Sequence, residues 1–277
     1  MSLLVQPVTV IRARRNQTVE HQPDLVAVEE PLEIRLGFGS LSHRQQHALA
    51  VTMRTPGHDF ELALGFLFSE MIIRSLQEVQ SIRYCRDGHN QPTENIVRIE
   101  LKPEVAYDPL RLQRNFYTTS SCGVCGKAAL EAIVLNTRPC TAVVQVDQHQ
   151  VLALPERLRM AQTVFQHTGG LHAIGMFAAD GTLQLVREDV GRHNAMDKVL
   201  GAALQQQLPL AEALVLLSGR ASFELVQKAA VAGVPIVAAI GAPSSLAVAT
   251  ANAMGITLIG FLRQQSFNVY THPQRIA

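Results

Sequence analysis

The sequence predicts an α/β protein with a small strand-rich unit followed by a larger unit built on a parallel sheet. Three uncharged and mainly apolar runs, at residues 213–217, 234–240 and 256–262, are separated by helical segments. Such runs are typical of parallel strands that are buried on both faces. In the first hundred residues apolar and polar side chains alternate instead, which is typical of half-buried strands. At 277 residues the chain is long enough for two domains.

The N-terminal unit is predicted to contain at least three strands and one helix. Residues 55–59 form a turn before the helix, with Asp59 as a candidate N-cap. The polar segment 111–119 lacks clear periodicity and indicates a linker, so we place the two domains at residues 1–112 and 113–277. The strand pattern rests on Leu32, Ile34, Leu36, Leu49, Val51, Met53, Val97, Ile99 and Leu101. The apolar face of the helix comprises Phe60, Ala63, Leu64, Leu67, Phe68 and Met71.

A polar cluster follows a predicted hairpin in the middle of the chain. The hairpin has apolar strands on both sides of a turn at residues 179–181. Beyond it, Asp189, His193 and Asp197 are spaced i, i+4 and i+8, which predicts that they line one helical stripe. A solvated or capping face and a patch that orients a ligand both fit this density of polar side chains.

Each apolar strand of the C-terminal unit ends in small and polar residues. Ligands of open α/β sheets gather beyond the carboxyl ends of the strands, and helix N-termini with small residues and an arginine suit an anion such as phosphate. We expect Arg220 and Arg263 to reach one crevice, since the pattern presents their strands as neighbours. Ordinary helix capping explains Ser244 and Ser245 equally well. The polar strand ends are residues 218–222, 241–245 and 263–266.

The strongest chemical motif is the pair Cys122 and Cys125, which opens into a helix predicted over residues 128–135. The positive end of a helix favours a thiolate over a thiol. Two thiols at this spacing also form half of many structural zinc sites, but only Cys85 and Cys140 remain and no histidine lies at zinc-finger spacing. A disulfide requires an oxidising compartment. We therefore expect a reactive thiol pair and no bound metal.

Composition argues against several functional classes. A net charge of +1, 17% charged and 5% aromatic residues, with no tryptophan, give no basis for nucleic-acid binding. The uncharged run 229–262 is interrupted by Pro235, Gly241 and Pro243, so we expect no membrane span. The first five residues are too short for the apolar core of a secretory signal, and three arginines follow rather than precede them. A cytoplasmic protein is expected.

At the level of whole motifs, the sequence resembles the FdhD family of sulfur-carrier proteins, which are needed for active formate dehydrogenases. The resemblance runs from about Val28 to Gln274, and the motifs occur in the order that the family shows. Besides the cysteine loop at 122–126, the matching segments are 29–31, 64–66, 69–70, 168–173, 188–194, 218–224, 226–228, 242–245, 260–261 and 268–270.

The resemblance implies a cytidine-deaminase-like α/β/α fold for the C-terminal domain and a homodimer. It also implies that Cys122 accepts a persulfide sulfur from a cysteine desulfurase, with Cys125 assisting, and that this sulfur passes to the molybdenum bis-guanylate cofactor for formate dehydrogenase. A guanine nucleotide such as GDP would act as a surrogate for that cofactor. The segment implied to contact it comprises Phe261, Leu262, Arg263, Gln264, Gln265 and Ser266. Further anion-binding and base-reading contacts are expected from His172, Asp189, Arg192, His193, Arg220 and Ser222.

Two departures from known patterns limit these expectations. Many members of the family carry a glycine near the position where this chain has Gln264 and Gln265. The family pattern therefore does not predict the backbone conformation of that loop. The zinc-deaminase signature pairs His-x-Glu with Pro-Cys-x-x-Cys, and this chain has neither a His-x-Glu nor a proline before Cys122. Two other classes stay open at this point: a zinc-dependent deaminase or other metal hydrolase, and a non-catalytic chaperone that only binds and escorts the cofactor.

Overall fold

The computed structural model of the chain describes residues 4–13, 15, 19–88, 90–108 and 137–277. These residues form three β-sheets and six α-helices, which confirms the predicted α/β class. The expected domain boundary between residues 112 and 113 lies outside the described residues and stays a prediction. No helix in the described part of the chain has the length and apolar character needed to cross a bilayer.

The N-terminal unit consists of a separate hairpin and a four-stranded sheet that carries one helix. The hairpin pairs β1 (Val5–Arg12) with β2 (Glu20–Ala27) in antiparallel fashion. The sheet and its helix comprise β3 (Glu30–Phe38), β4 (Gln45–Arg54), α1 (Asp59–Ser69), β5 (Val79–Arg86) and β6 (Pro92–Leu101). The strand order is β4-β3-β6-β5, with β3 and β6 parallel.

The core of this unit lies between the sheet and α1. Side chains such as Ile34 and Ile99 are fully buried against Leu62 and Leu67 of the helix, as the sequence periodicity predicts. Two details differ from the prediction. His58 occupies the N-cap position, with Asp59 as the first residue of α1. Met71 lies beyond the end of the helix and is half-exposed.

The alternation of Leu49, Val51 and Met53 correctly predicts strand β4, but the apolar residues do not form the expected buried face. Leu49 is the extra residue of a β-bulge opposite β3. Beyond it, Val51 and Met53 lie on the outer face and are 69% and 48% exposed. The inner face at this end carries Thr52, whose hydroxyl donates to Oδ1 of Asn194 in the C-terminal unit at 3.0 Å. A polar contact between the units therefore takes the place of apolar burial.

The C-terminal unit is a six-stranded sheet with helices on both faces. Its helices are α2 (Gln148–Ala161), α3 (Thr163–Thr168), α4 (Arg192–Gln205), α5 (Phe223–Val231) and α6 (Ser245–Ala253). Its strands are β7 (His172–Phe177), β8 (Leu183–Asp189), β9 (Leu214–Leu217), β10 (Ile236–Ala239), β11 (Thr257–Gly260) and β12 (Asn268–Thr271). The order is β12-β11-β10-β9-β7-β8.

The pairing confirms the parallel sheet and the hairpin that the sequence predicts. Strands β9, β10 and β11 run parallel, whereas β7 is antiparallel to both β8 and β9, and β12 is antiparallel to β11. Side chains alternate across β9: Val215 and Leu217 pack with α4, α5 and α6, and Leu214 and Leu216 pack with α2. Both faces of the sheet are therefore covered.

Helices α1 and α4 cross in direct backbone contact and join the two units. A Cβ atom on Gly65 would overlap the carbonyl oxygen of Asp197, and one on Gly201 would overlap that of Glu61. The same joint carries an ion pair, because the guanidinium of Arg187 on β8 donates to both carboxylate oxygens of Glu61 at 2.5 and 2.7 Å. The joint therefore depends on residues from both units.

Candidate functional site

One edge of the C-terminal sheet collects most of the predicted site residues. The carboxyl ends of β8, β9, β10 and β11 meet there, and the antiparallel strands β7 and β12 begin there. This geometry is the one in which open α/β sheets bind ligands. The predicted site residues that lie at this edge are His172, Asp189, Arg192, His193, Arg220, Ser222, Phe261, Leu262, Arg263, Gln264, Gln265 and Ser266.

A crevice of about 540 Å³ opens at this edge. One wall is formed by His172 at the start of β7 and by Ser218, Gly219 and Ile240 at the ends of β9 and β10. The opposite wall comes from α2, α3 and the glycines that follow them. Ser218 is fixed in place because its hydroxyl accepts from the amide of Ala173 at 2.9 Å. A volume of this size is within the range of small-molecule sites.

The imidazole of His172 is half-buried in the wall of the crevice. Burial lowers the pKa of His172 below its usual 6.5, and the nearby cation of Arg192 lowers it further, while Asp189 acts in the opposite direction. His172 is therefore neutral at pH 7, with one ring nitrogen that donates a hydrogen bond and one that accepts.

Asp189 is fully buried and serves the fold rather than the crevice. Its carboxylate forms an ion pair with the Nζ of Lys198 at 2.7 Å. It also accepts hydrogen bonds from the backbone amides of Gly191 at 2.8 Å and Thr55 at 3.2 Å and from the side-chain amide of Asn194 at 3.1 Å. These partners tie the β8–α4 turn to the N-terminal unit, and they leave no exposed carboxylate surface for a ligand.

The predicted helical stripe of Asp189, His193 and Asp197 is wrong. Asp189 is the last residue of β8, and α4 begins only at Arg192. Asp197 does lie on α4, but its carboxylate is buried and accepts from the Nζ of Lys228 at 2.9 and 3.1 Å. The i, i+4, i+8 spacing assumed a helix that starts three residues too early.

Three polar side chains at the N-termini of α4 and α5 contain buried atoms without a hydrogen-bond partner in the structure. They are the Nε of Arg192, the Nε2 of His193 and the hydroxyl of Ser222. The His193 ring lies 3.9 Å from the carboxylate of Glu224, and burial, followed by the charge of Arg192, lowers the pKa of His193. Ser222 occupies the N-cap position of α5 without using its side chain as a cap. Ser244 differs, since its hydroxyl accepts from the amide of Ala247 and caps α6.

Arg220 and Arg263 do not follow neighbouring strands, contrary to the sequence prediction, because β10 lies between β9 and β11. They nevertheless meet at the end of β10. A guanidinium nitrogen of Arg263 donates to the carbonyl of Ile240, and the exposed Arg220 lies directly beside Gly241. Both cations therefore flank the end of the strand that contributes Ile240 to the crevice.

The segment from Phe261 to Ser266 forms a turn after β11. Phe261 has a left-handed φ of 51° and a half-exposed ring, an arrangement that costs conformational energy in a bulky residue. Leu262 is fully buried, so its side chain belongs to the core. The amide of Arg263 donates to the carbonyl of Ser266 at 2.9 Å and closes the turn.

Gln264 and Gln265 lie exposed within this closed turn. Neither adopts the left-handed backbone conformation that favours glycine. The turn therefore accommodates both glutamines without a left-handed backbone conformation at either position.

The cysteine pair cannot be placed relative to this edge, because Cys122 and Cys125 lie outside the described residues. The other two cysteines, Cys85 and Cys140, are free and half-buried. In the described ranges no group of three or more His, Cys, Asp or Glu side chains is arranged to hold a metal ion. The absence of zinc therefore stays a prediction.

Sequence reasoning missed the wall of the crevice that α2 and α3 supply. Arg159, Gln162 and Phe165 line this wall, and the carboxylate of Glu188 accepts from the amide of Phe165 at 2.8 Å. No motif includes these residues. The one sequence signal was their position just before the polar segment 167–172, which leads into β7.

The family model for FdhD/NarQ matches residues 27–277, nearly the whole chain. The chain belongs to the FdhD/NarQ family. It is 53% identical over 262 residues to the sulfur carrier protein FdhD of Mycolicibacterium paratuberculosis, an alignment that covers 92% of this chain and 93% of the relative. It is 50% identical over 276 residues to the sulfur carrier protein FdhD of Streptomyces avermitilis, covering 97% and 94%.

A solved structure shares the fold. The crystal structure of a proposed formate dehydrogenase accessory protein from Desulfotalea psychrophila superposes with a TM-score of 0.78 at 24% sequence identity. The superposition covers 99% of this chain and 100% of that protein. The family membership and the α/β class are the ones that the sequence predicts, while the likeness of the C-terminal domain to cytidine deaminases stays a prediction.

Proposed function

We propose that the protein is a sulfur carrier that accepts a persulfide sulfur on Cys122 and delivers it to the molybdenum bis-guanylate cofactor for formate dehydrogenase. The observation that carries the proposal is the convergence of a crevice, a neutral histidine and two arginines at one sheet edge, in a chain that also contains a CxxC loop. Relatives at about half identity over nearly the whole chain are named sulfur carrier proteins.

The first step of the proposed reaction is thiol–persulfide exchange. The Cys122 thiolate attacks the outer sulfur of the persulfide on a cysteine desulfurase. A new sulfur–sulfur bond forms on Cys122 as the donor's sulfur–sulfur bond breaks, and the donor cysteine leaves as a thiolate. No net oxidation occurs, because one persulfide and one thiolate exchange places.

The second step passes the outer sulfur to the cofactor, which is the substrate of the carrier. The sulfur–sulfur bond on Cys122 breaks and Cys122 returns to a thiolate. The reduced molybdenum of the acceptor supplies the two electrons that convert the neutral sulfur atom into sulfide. Cys125 is positioned in sequence to attack an undelivered persulfide, which would release sulfide and leave a Cys122–Cys125 disulfide.

The strand-edge arginines suit the nucleotide part of this substrate. Guanidinium groups pair with phosphate oxygens through two parallel hydrogen bonds, and each such charge-assisted contact is worth roughly 1.5–3 kcal/mol. Arg220 and Arg263 therefore bind phosphates in the proposal, while the neutral His172 offers a donor and an acceptor to a heterocycle. Association with a cysteine desulfurase and a formate dehydrogenase, a homodimer and a cytoplasmic location belong to the same proposal.

Persulfide formation on Cys122 tests the carrier function directly. The purified protein is incubated with a cysteine desulfurase and cysteine, and a peptide digest is analysed by mass spectrometry without reductant. We expect one added sulfur on the Cys122 peptide of the wild type and of Cys85→Ala and Cys140→Ala, which remove the other two cysteines outside the loop. Cys122→Ala should take up no sulfur in the loop and should abolish activation of formate dehydrogenase. Cys125→Ala should retain part of this activation.

Two results would count against the carrier function. Full activation of formate dehydrogenase by Cys122→Ala would exclude sulfur transfer through this thiol and favour a chaperone that only escorts the cofactor. A purified protein that holds one zinc ion per chain, and loses it in Cys125→Ser, would favour a metal site instead. A structural zinc requires about four ligands, and the cysteine pair would be half of such a set.

A further inference from the structure

A row of three arginines crosses the outer face of the N-terminal sheet, the face turned away from α1. Arg35 on β3 lies directly opposite Arg98 on β6, and Arg98 lies opposite Arg83 on β5. These side chains alternate along their strands with those of the core, so all three project outward. Like charges that face each other across strands destabilise a sheet. Natural sequences break such rules mainly at functional sites, where another role balances the cost.

One nearly buried carboxylate, that of Glu100, holds part of this row in place. Its Oε1 lies 2.6 Å from the Nε of Arg98 and 3.6 Å from the guanidinium of Arg83. Its Oε2 accepts from Arg44, the residue before β4, at 2.5 Å. A Cβ atom on Gly37 would overlap this carboxylate, so the glycine leaves the space in which the side chain of Glu100 crosses the sheet. A single carboxylate cannot neutralise three guanidinium groups.

The cluster therefore presents an excess of positive charge. Arg35 is neutralised separately, because it donates to both carboxylate oxygens of Glu33 at 2.8 and 2.7 Å. The contacts thus join four guanidinium groups and two carboxylates, which leaves an excess of two positive charges. The most open member is Arg83, whose side chain is 57% exposed. The excess charge is therefore available to an anionic group that approaches from solvent.

Apolar side chains continue the same face on β4. Val51 lies opposite Glu33, and Met53 lies opposite Pro31. Both apolar side chains are exposed. Exposed apolar side chains rimmed by polar ones mark interaction sites, and methionine and arginine are enriched in protein–protein interfaces. Small ligands bind in concave pockets, whereas these side chains stand on the surface of a sheet. This arrangement suits a protein surface better than a small anion.

We propose that this outer face docks a protein partner that presents carboxylates beside an apolar side chain. The partner's carboxylates pair with Arg83 and its neighbours in the row, and its apolar side chain covers Val51. Complementary charges of this kind speed association and fix the orientation of the partners. Whether the partner is the donor or the acceptor of sulfur rests on the proposed function, but the docking surface does not. This basic face comprises Arg35, Arg44, Arg83, Arg98, Val51 and Met53.

Two labelled peptides test the basic face by fluorescence anisotropy. One alternates aspartate with leucine, and the other has asparagine in place of each aspartate. At low ionic strength the wild type should bind the aspartate peptide about tenfold more tightly, and added salt should reduce this difference. Arg83→Glu should weaken binding of the aspartate peptide about tenfold. Val51→Thr, which keeps the shape but adds a hydroxyl group, should weaken binding of both peptides about threefold.

The matched control is Arg138→Glu, which makes the same change in net charge at an exposed arginine outside this sheet. It should bind both peptides as the wild type does. Equal weakening by the two charge reversals would reveal a general effect of net charge and would overturn the proposal. A wild type that binds neither peptide, or binds both equally, would overturn it as well.

Protection of a cysteine tests the same face without any substitution. The thiol of Cys85 lies beside Arg35, whereas Cys140 lies in the other unit, and both are free and half-buried. Saturating aspartate peptide should slow alkylation of Cys85 and leave the alkylation rate of Cys140 unchanged, as measured by mass spectrometry of digests. An unchanged rate for Cys85 would place the peptide elsewhere and contradict the proposal.

The two assays of the proposed function then identify the partner. Slower persulfide uptake on Cys122 in Arg83→Glu, but not in Arg138→Glu, would identify the sulfur donor as the acidic partner. Normal uptake with reduced activation of formate dehydrogenase would identify the acceptor enzyme. Wild-type behaviour of Arg83→Glu in both assays would overturn the docking role and leave the carrier function intact. Conversely, a wild type that takes up no sulfur on Cys122 but binds the aspartate peptide through Arg83 would remove the carrier function and support the basic face.

Discussion

At the scale of single residues, Glu61 shows how one side chain joins the two units of the molecule. It lies on α1, and its carboxylate accepts from Arg187 on β8 and lies 3.1 Å from the ring of His58. Burial alone would raise the pKa of Glu61, but the hydrogen bonds from Arg187 and His58 outweigh it and lower the pKa from 4.5 to about 2. A carboxyl group with a lowered pKa stabilises the folded state above the pH at which the unfolded chain titrates.

We predict that Glu61→Gln lowers the free energy of unfolding by about 2 kcal/mol at neutral pH. In the unfolded chain a glutamate titrates at about pH 4.3, so the contribution of the Glu61 carboxylate to the free energy of unfolding is complete above that pH. It is lost as the pH falls toward about 2, where the folded-state carboxylate is protonated as well. Urea unfolding of both proteins at a series of pH values should therefore show a difference that narrows on acidification.

The matched control for this experiment is Glu156→Gln, which changes an exposed glutamate on α2. Its unfolding free energy should stay within about 0.5 kcal/mol of the wild type at every pH. A Glu61→Gln difference that is independent of pH would show that lost packing, rather than the charge of the carboxylate, accounts for the effect.

Residue chemistry could be predicted from the sequence only where it depends on neighbours in the chain. Ser244 was a candidate cap and is one, because a cap bonds to an amide three residues away. The role of Asp189 could not be predicted, since its partners include Thr55, which lies far away in the sequence. The burial of Gln162 was equally hidden, because only the packing of α2 and α3 against the sheet buries this residue.

At the scale of elements, periodicity predicted the strands better than it predicted their faces. Strands β9 and β10 are apolar at every position and β11 at every position but Thr257, so their prediction did not depend on a choice of face. Strand β4 required a choice of face, and the bulge at Leu49 together with the contact of Thr52 with α4 reversed it. The strand order was also beyond the sequence, so Arg220 and Arg263 were assigned to neighbouring strands that β10 separates.

The crossing of α1 and α4 gives a prediction at this scale. Gly201→Ala places a methyl group against the backbone of α1, where the carbonyl of Glu61 already lies, so the helices must move apart. Overpacking of this kind costs typically 1–3 kcal/mol, and we expect a loss of about 3 kcal/mol because a backbone atom cannot turn away. Gly88→Ala is the control, since nothing lies within 4 Å of its added Cβ. Equal unfolding free energies for Gly201→Ala and the wild type, measured in urea, would contradict the close contact.

At the scale of the whole molecule, the question is whether the two hydrophobic cores unfold together. The cores are separate clusters, one between the N-terminal sheet and α1 and the others around the C-terminal sheet. They are joined by the α1–α4 crossing and by buried polar bonds such as that of Lys228 with both Asp197 and Ser69. Separating the units would remove the bonds of Lys228 to Ser69 and Glu70 and that of Asp197 to Ser69, and buried charged groups that lose hydrogen-bond partners are destabilising.

We therefore predict that damage to one core lowers the stability of both. Ile99→Ala removes a fully buried side chain from the N-terminal sheet and should cost about 3 kcal/mol. Native-state hydrogen exchange should show the same loss in the free energy of opening for the amides of β9 and β10, which lie in the other unit. The reason is that opening of one unit breaks the joint and exposes the buried charged groups of the other. Val51→Ala, on the exposed outer face of the same N-terminal sheet, should change neither unit by more than about 0.5 kcal/mol. Faster exchange confined to the N-terminal strands of Ile99→Ala would show that the two units open independently and that the joint is weaker than its buried ion pairs imply.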